Sequence, residues 1–137
     1  MNRPAENITI LIIDDDMEMR FLLSTIIKGA GYRALTVKDG KEGMASLSGI
    51  KPDLIVLDVM MPEEGGSVVY RRLKTSEELK KIPVIIVSGV SRYTFYHYLS
   101  MINMKLPEKI PLPEAYIEKP PAPELLVSLV AKLLESG

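Results

Sequence analysis

The sequence predicts an α/β domain in which a parallel sheet of five strands is covered by helices on both faces. Apolar runs of strand length alternate along the chain with segments in which apolar residues recur every three to four positions. This alternation is typical of a doubly wound sheet with right-handed crossovers. The run Leu54–Leu57 is apolar throughout and lies between a Lys-Pro-Asp turn signal and Pro62. It is therefore predicted to be a central strand that is buried on both faces.

The first half of the chain is predicted to contain two further strands and two helices. A strand at residues 8–13 leads into a helix over residues 17–28, whose end is marked by Gly29-Ala30-Gly31, since glycine is common just beyond a helix. Residues 32–37 are less apolar and are predicted to form an edge strand. Residues 38–47 favour a weak helix, because Gly40 and Gly43 each cost it up to about 1 kcal/mol.

The second half is predicted to alternate three helices with two strands. Gly65-Gly66 allows a turn into a helix over residues 67–74, whose Arg71, Arg72 and Lys74 are expected to be solvated. A strand over residues 82–87, with a proline at its start, precedes a helix from residue 91 to about residue 105. The short strand Ala115–Glu118 leads to a final helix that begins at Pro123 and carries a continuous apolar stripe.

Composition limits the classes of function. The 137 residues are most simply one domain, and a net charge of −1 offers no field that would gather nucleic acid or anionic lipid. With no cysteine and one histidine, a bound metal would have to be held by oxygen ligands. No apolar run approaches the roughly 18 residues of a spanning helix, and the first residues are polar, so a cytoplasmic location is expected.

Functional side chains follow four of the predicted strands. They are Asp14 and Asp15 after the first strand, Asp58 after the third, Ser88 after the fourth and Lys119 after the fifth. Taken singly, such residues are helix caps, loop hydroxyls or surface lysines, but the carboxyl ends of parallel strands share one edge of a sheet. Crowded carboxylates favour a hard, oxygen-binding cation such as Mg²⁺. Asp58 is then expected to act as a nucleophile that forms an aspartyl phosphate, with Ser88 and Lys119 stabilising the phosphoryl oxygens.

In order and spacing, these motifs resemble the receiver domain of bacterial two-component response regulators. The resemblance rests on Asp14-Asp15 after an apolar strand, Asp58-Val59-Met60-Met61-Pro62 with Gly66 behind it, Val87-Ser88-Gly89, and Tyr116-Ile117-Glu118-Lys119-Pro120. It covers the chain from about residue 8 to residue 134 of a single domain. It implies the flavodoxin-like strand order 2-1-3-4-5 and a cis bond between Lys119 and Pro120.

The resemblance also implies a role for each site residue. Asp58 would accept phosphate from a sensor histidine kinase or a phosphotransfer protein. Asp15, Asp58 and the Met60 carbonyl would hold Mg²⁺, and Asp14 would support the ion through water. Ser88 would be the hydroxyl switch, Lys119 the phosphate partner and Tyr116 the switch aromatic that turns inward when the hydroxyl moves. A downstream partner, or a second copy of the chain, would read the face of the fourth helix and fifth strand.

The region from about residue 91 to residue 113 departs from the family. It is longer than expected by about one long loop or two helical turns, and Pro107, Pro111 and Pro113 prevent a regular helix there. The chain has six tyrosines and two phenylalanines, and four of these eight aromatic residues lie at positions 93, 95, 96 and 98. Either these aromatics pack into the core beside a passive loop, or the region forms a partner-specific docking face with an exposed apolar patch.

Two other functional classes remain open at this stage. Asp14-Asp15-Asp16 also satisfies the Asp-x-Asp pattern of haloacid-dehalogenase-type phosphatases, although that interpretation leaves Asp58 unexplained. A degenerate receiver that only binds partners is the second alternative, and the complete set of site residues argues against it. The sequence leaves open whether the domain stands alone or is cut from a longer regulator, and it names no kinase, stimulus or output.

Overall fold

The computed structural model describes residues 3–60 and 65–136. After a short 3-10 turn at Ala5–Asn7, strands and helices alternate regularly. They are β1 (Thr9–Ile13), α1 (Met17–Gly29), β2 (Arg33–Val37), α2 (Gly40–Leu47), β3 (Leu54–Leu57), α3 (Gly66–Thr75), β4 (Val84–Ser88), α4 (Arg92–Asn103), β5 (Ala115–Glu118) and α5 (Pro123–Ser136). Among the described residues, no helix combines the length and the apolar character needed to cross a lipid bilayer.

The strands form one sheet in the order β2-β1-β3-β4-β5, and every pairing is parallel. The predicted fold class and strand order are confirmed. The order reverses between β1 and β3, which is where open α/β sheets form a crevice beyond the strand ends. Ile13 pairs with Leu57 in this register, so the residues that follow them, Asp14 and Asp58, leave the sheet side by side.

Each face of the sheet carries its own core, because alternate strand residues point to opposite faces. On one face, β3 residues such as Ile55 and Leu57 pack with Leu73 of α3 and Phe95 of α4. On the other face, Leu54 and Val56 pack with the apolar sides of α1 and α5. Residues of β1, β3 and β4 are almost completely buried, as the apolar runs predict. The less apolar β2 lies at the edge, also as predicted.

The ends of the first helix show how local sequence sets the boundaries. Asp16 is the N-cap of α1, since its side chain accepts a hydrogen bond from the amide of Glu18. Beyond the C-terminus, Gly31 has φ of +96°, a left-handed conformation that glycine adopts without strain. The glycine-rich segment therefore ends the helix as predicted.

The prediction that Lys74 is solvated is wrong. Its side chain is 2% exposed, and its Nζ lies 2.8 Å from Oε1 of Glu114. The same carboxylate oxygen accepts a hydrogen bond from the amide of Val84 at the start of β4. Burial of the ammonium is possible because Glu114, 40 residues further along the chain, supplies the opposite charge. Of the other two basic residues, Arg71 is half-buried and Arg72 is exposed.

Helix α4 ends two residues earlier than predicted, and residues 104–114 form a loop with specific contacts, named here the 104–114 loop. Asn103 binds the backbone of Ile110 twice, donating from Nδ2 at 2.9 Å and accepting at Oδ1 at 2.8 Å. Nζ of Lys109 donates to the carbonyl of Asn103, the last residue of the helix, and to the carbonyl of Leu106 in the loop. These bonds fold the loop back onto the end of the helix.

The aromatic residues of this region are divided between the core and the surface. Phe95 is buried and packs edge-on against Tyr70 of α3 at 5.5 Å between ring centroids. The hydroxyl of Tyr70 donates to the carbonyl of Pro111, so the 104–114 loop is also fastened to α3. Tyr93, by contrast, is 78% exposed, and Met104 is 83% exposed. The inner side of α4 is core, and its outer side presents apolar groups to solvent.

We expect Glu114→Ala to lower the free energy of unfolding by about 1–3 kcal/mol. The change leaves the Lys74 ammonium buried without its counter-charge and removes the acceptor of the Val84 amide. Urea unfolding is the measurement, with Glu77→Ala as the control, because Glu77 pairs with Lys80 at the surface and its side chain is 85% exposed. Equal effects of the two changes would contradict the burial argument.

Candidate functional site

Three carboxylates converge at the crevice beyond β1 and β3. Asp14, Asp15 and Asp58 each place one oxygen within 4.8 Å of the others, so that the three could hold a metal ion together. Asp14 is 1% exposed and Asp58 is 4% exposed, whereas Asp15 is exposed. The structure thus brings together the acidic residues that the sequence predicted at this edge.

Lys119 enters the same cluster from the end of β5. Its Nζ lies 3.0 Å from Oδ2 of Asp14 and 3.0 Å from Oδ2 of Asp58. Its amide donates to the carbonyl of Ser88, which fixes the segment after β5 against the end of β4. The bond between Lys119 and Pro120 is cis, as predicted.

Backbone groups orient both buried carboxylates. Oδ1 of Asp58 accepts a hydrogen bond of 2.8 Å from the amide of Met60, and Oδ1 of Asp14 accepts one of 2.9 Å from the amide of Asp16. Each carboxylate therefore uses one oxygen for the backbone and directs the other at Lys119. The Met60 carbonyl was expected to be a metal ligand, and that role stays a prediction. Of the site motifs, Met61 and Pro62 lie outside the described residues.

A close approach of α3 supports the backbone at Asp58. A Cβ added to Gly66 would lie 1.9 Å from the carbonyl oxygen of Asp58 and 2.5 Å from Cα of Val59. Backbone atoms cannot yield as a flexible side chain can, so only glycine fits there. Sequence reasoning assigned this glycine to a turn, whereas the structure shows that it lets the start of α3 contact the backbone that carries Asp58.

The electrostatics of the cluster favour a bound cation. Burial raises the pKa of Asp14, and the charge of Asp58 adds to that, against the lowering effect of the Asp16 amide and of Lys119. Burial lowers the pKa of Lys119, but its contacts with Asp14 and Asp58 outweigh that effect and raise it. Within the described part of the chain, Oδ2 of Asp14 is buried and receives no hydrogen bond of good geometry, despite its 3.0 Å contact with Lys119. An oxygen-ligated cation such as Mg²⁺ fits this set of donors.

Ser88 and Tyr116 lie together behind the acidic cluster. Ser88 is completely buried, and its Oγ accepts a hydrogen bond from the amide of Val90. Tyr116 is 4% exposed, and its hydroxyl donates to the carbonyl of Val90 at 2.7 Å. Burial raises the pKa of Tyr116 to about 12, and the nearby Ser88 side chain opposes the shift. The tyrosine is thus held inward as a neutral donor. The resemblance implied that it turns inward when the hydroxyl moves, whereas in this structure the inward position is already occupied.

Asp16 and Arg20 have roles that the sequence did not assign. Asp16 caps α1 and is absent from the carboxylate cluster, which disfavours the phosphatase interpretation because that needs Asp16 in the pocket. The guanidinium of Arg20 donates to the carbonyl of Asp14 at 2.8 Å and so braces the acidic turn from α1. The available signal in the sequence was that Arg20 lies near the start of the helix that follows Asp14. The periodicity of a helix face does not, however, identify a backbone carbonyl as a hydrogen-bond acceptor.

Comparison with known sequences gives a consistent family. A model of the response regulator receiver domain matches residues 10–105. The DNA-binding dual master transcriptional regulator RpaA of Synechocystis is 39% identical over 83 residues, which make up 61% of this chain and 34% of RpaA. Protein PilG of Pseudomonas aeruginosa is 28% identical over 89 residues, which make up 65% of this chain and 66% of PilG. The match thus spans about a third of RpaA and about two thirds of PilG.

Solved structures agree in fold. The signal receiver domain of a signal transduction histidine kinase from Syntrophus aciditrophicus is 32% identical, with a TM-score of 0.79 over 93% of this chain and 90% of that one. The receiver domain of a sensor histidine kinase from Pseudomonas aeruginosa, crystallised with a magnesium ion in its active site cleft, has a TM-score of 0.78 at 18% identity, covering 93% of this chain and 97% of that one. With the strand order and the acidic edge already established, the matched family model shows that this chain belongs to the response regulator receiver domain family.

Proposed function

We propose that this chain is a phosphorylation-dependent signalling switch in which Asp58 accepts a phosphoryl group from a histidine kinase or a phosphotransfer protein. The observation that carries the proposal is the setting of the Asp58 carboxylate. One of its oxygens is held by the Met60 amide, and the other is 3.0 Å from Nζ of Lys119 in a cluster of acidic residues. Such a carboxylate is fixed in position and remains next to a cation that can neutralise incoming phosphoryl oxygens.

The acidic cluster is the proposed Mg²⁺ site. Asp14, Asp15 and Asp58 would hold the ion with the Met60 carbonyl, and Asp14 would act through water. The buried Oδ2 of Asp14 and the raised pKa of that carboxyl support this assignment. When bound, Mg²⁺ would supply positive charge that offsets the charge of the carboxylates and of the phosphoryl oxygens. A related receiver domain of the same fold contains magnesium in its cleft.

Phosphoryl transfer would then be a substitution at phosphorus. An oxygen of Asp58 forms the new bond while the phosphorus–nitrogen bond of a phosphohistidine breaks, and the imidazole leaves with the electron pair. Lys119 donates to a phosphoryl oxygen from the position that it now occupies between two carboxylates. The Ser88 hydroxyl, now an acceptor from the Val90 amide, is the proposed second donor. The domain would catalyse only its own phosphorylation and dephosphorylation.

We propose that the signal passes from the site to the rest of the domain through Tyr116. Its hydroxyl is bonded to the carbonyl of Val90, in the same short segment whose amide is bonded to Ser88. A shift of Ser88 towards the phosphoryl group would therefore strain or break the Tyr116 bond. Tyr116 also contacts the α4 aromatics Phe95 and Tyr96 at centroid distances of 5.9 and 5.8 Å. The region from about residue 91 to residue 113 is the proposed partner face, since both the ring contacts and the exposed Tyr93 belong to it.

We expect Asp58 alone to be labelled by a small phosphodonor in the presence of Mg²⁺, and Asp58→Asn to abolish the label. Mass spectrometry of proteolytic fragments locates the phosphoryl group. Asp16→Asn is the matched control, because Asp16 is outside the carboxylate cluster and asparagine is also a good N-cap. Label on Asp14 or Asp16 would favour the phosphatase interpretation. No label with a competent donor would favour a receiver that only binds partners.

In receiver domains, the residues two positions after the phosphorylated aspartate and two positions after the switch hydroxyl tune the access of the hydrolytic water. Here they are Met60 and Val90, whose apolar side chains cannot orient that water, so we expect the phosphoryl group to be long-lived. Met60 is 61% exposed and Val90 is half-buried, so polar replacements at both positions can be accommodated. Met60→Asn combined with Val90→Gln should speed dephosphorylation by about 10- to 100-fold. Loss of phosphate over time is the measurement, and Met101→Asn on the outer side of α4 should leave the rate unchanged.

We expect Asp14→Asn to stabilise the metal-free protein at pH 7 by on the order of 1 kcal/mol, the usual size of a single-residue effect. Because burial raises the pKa of Asp14, its ionised form opposes folding above that pKa, and the variant's advantage should shrink as the pH falls and the wild-type carboxyl takes up a proton. The same variant should gain less stability from added Mg²⁺. Thermal unfolding with and without Mg²⁺ tests both statements, again with Asp16→Asn as the control. A variant that is less stable without metal would contradict this account.

A further inference from the structure

The carbonyl of Asp14 is held by a side chain from the helix that follows it. Arg20 lies near the start of α1 and donates to that carbonyl from Nη1 at 2.8 Å. The contact is partly buried, and a hydrogen bond from a charged donor is roughly twice as strong as one between neutral groups. It therefore restrains the backbone of the acidic turn more firmly than a neutral side chain would.

The contact fixes the peptide group that leads into Asp15. The carbonyl of Asp14 and the amide of Asp15 belong to one planar unit, so a bond to the carbonyl also sets the direction in which Asp15 leaves. On the other side of Asp14, its amide donates to the carbonyl of Val37 at 3.2 Å. After Asp15, the carbonyl of Asp16 accepts a hydrogen bond of 2.9 Å from the amide of Arg20. The backbone is thus restrained both before and after Asp15.

The side chain of Asp15 is oriented by its backbone alone. It is exposed, and within residues 3–60 and 65–136 it forms no hydrogen bond and no ion pair. Asp14 and Asp58 differ, because a backbone amide holds one oxygen of each. An oxygen of Asp15 nevertheless lies within 4.8 Å of an oxygen of each of the other two carboxylates. Its place in the cluster therefore depends on the turn that Arg20 restrains.

The acceptor of Arg20 matters for metal binding, because Asp14 also offers a carboxylate. Arg20 forms no ion pair with the carboxylates in the described part of the chain, and it donates to the carbonyl instead. The carboxylate oxygens are thus left to Lys119 and to a cation. The charge of Arg20 opposes a nearby cation, whereas its hydrogen bond favours the cation by orienting a ligand. The two effects have opposite signs and can be separated by experiment.

We propose that Arg20 is a positioning residue for the cation of the acidic cluster and that it acts by directing Asp15 towards Asp58. The inference deepens the proposed function and rests on the Mg²⁺ site assigned there. Arg20 would not touch the ion, because it acts through the carbonyl of Asp14. Groups that orient a metal ligand from outside the coordination sphere typically contribute about 10- to 100-fold to metal affinity.

Arg20→Met is the main test, because methionine lacks both the donor and the charge but keeps a long apolar stem. We expect the Mg²⁺ dissociation constant to rise by about tenfold, although loss of the positive charge would by itself lower it. Lys28→Met is the matched control, because Lys28 is exposed on the same helix and the change removes an equal charge. Its dissociation constant should change by less than about twofold, since exposed distant charges are screened.

Magnesium titration followed by amide NMR signals measures these constants, and signals far from the site show whether each variant is folded. Arg20→Lys is the milder variant. It keeps the charge and a donor but lacks the planar guanidinium, so we expect a smaller rise, of about threefold. This variant decides the question should Arg20→Met fail to fold.

Mn²⁺ in place of Mg²⁺ provides a second readout. If Asp15 is no longer directed at the ion, water takes its place, and water-proton relaxation should detect an additional water ligand on Mn²⁺ bound to Arg20→Met. A residue that only stabilises α1 would lower the unfolding temperature without changing the number of water ligands.

An unchanged or smaller Mg²⁺ dissociation constant in Arg20→Met would overturn the inference, as would an unchanged number of water ligands. If the wild type binds Mg²⁺ and is labelled on Asp58, such a result counts against the positioning role alone. If the wild type binds no Mg²⁺, the inference falls together with the metal site of the proposed function.

Discussion

Two carboxylates are buried side by side in this protein, and Lys119 makes that arrangement tolerable. Asp14 and Asp58 follow neighbouring strands, so the parallel register itself brings their charges together. Nζ of Lys119 is 3.0 Å from each of them and supplies the positive charge that a buried pair requires. The compensation is incomplete, because the pKa of Asp14 remains raised by burial and by the charge of Asp58. The crevice therefore retains an affinity for further positive charge.

A buried charge is also paired with an opposite charge at the other end of β5. Glu114 immediately precedes the strand and pairs with the buried Lys74, while Lys119 immediately follows it and pairs with the acidic cluster. A strand of four residues at the edge of a sheet has few ladder hydrogen bonds, so ion pairs at both ends add to its attachment. Tyr116 lies between these two anchors.

The region between α4 and β5 is held by specific contacts with the rest of the domain. Phe95 and Tyr70 extend the contacts of Tyr116 through the core to Pro111, and the 104–114 loop is held by side chains of α3 and α4. The loop is thus part of the packed structure. Its prolines exclude a regular helix, but specific hydrogen bonds replace helical ones. Deleting the loop would also remove partners of Tyr70 and Asn103, so point substitutions separate its functions more cleanly.

The sequence by itself determined the order and type of the elements and the composition of the acidic edge. Apolar runs and helical periodicity are local properties, and in a parallel sheet the residues that follow Ile13 and Leu57 must leave at the same edge. Tertiary structure decided the features that depend on partners distant in sequence. Lys74 can be buried because Glu114, 40 residues away in sequence, supplies the opposite charge. Gly66 is required because α3 contacts the backbone of Asp58. Neither contact leaves a local pattern, because each arises only when the packed elements bring separate segments together.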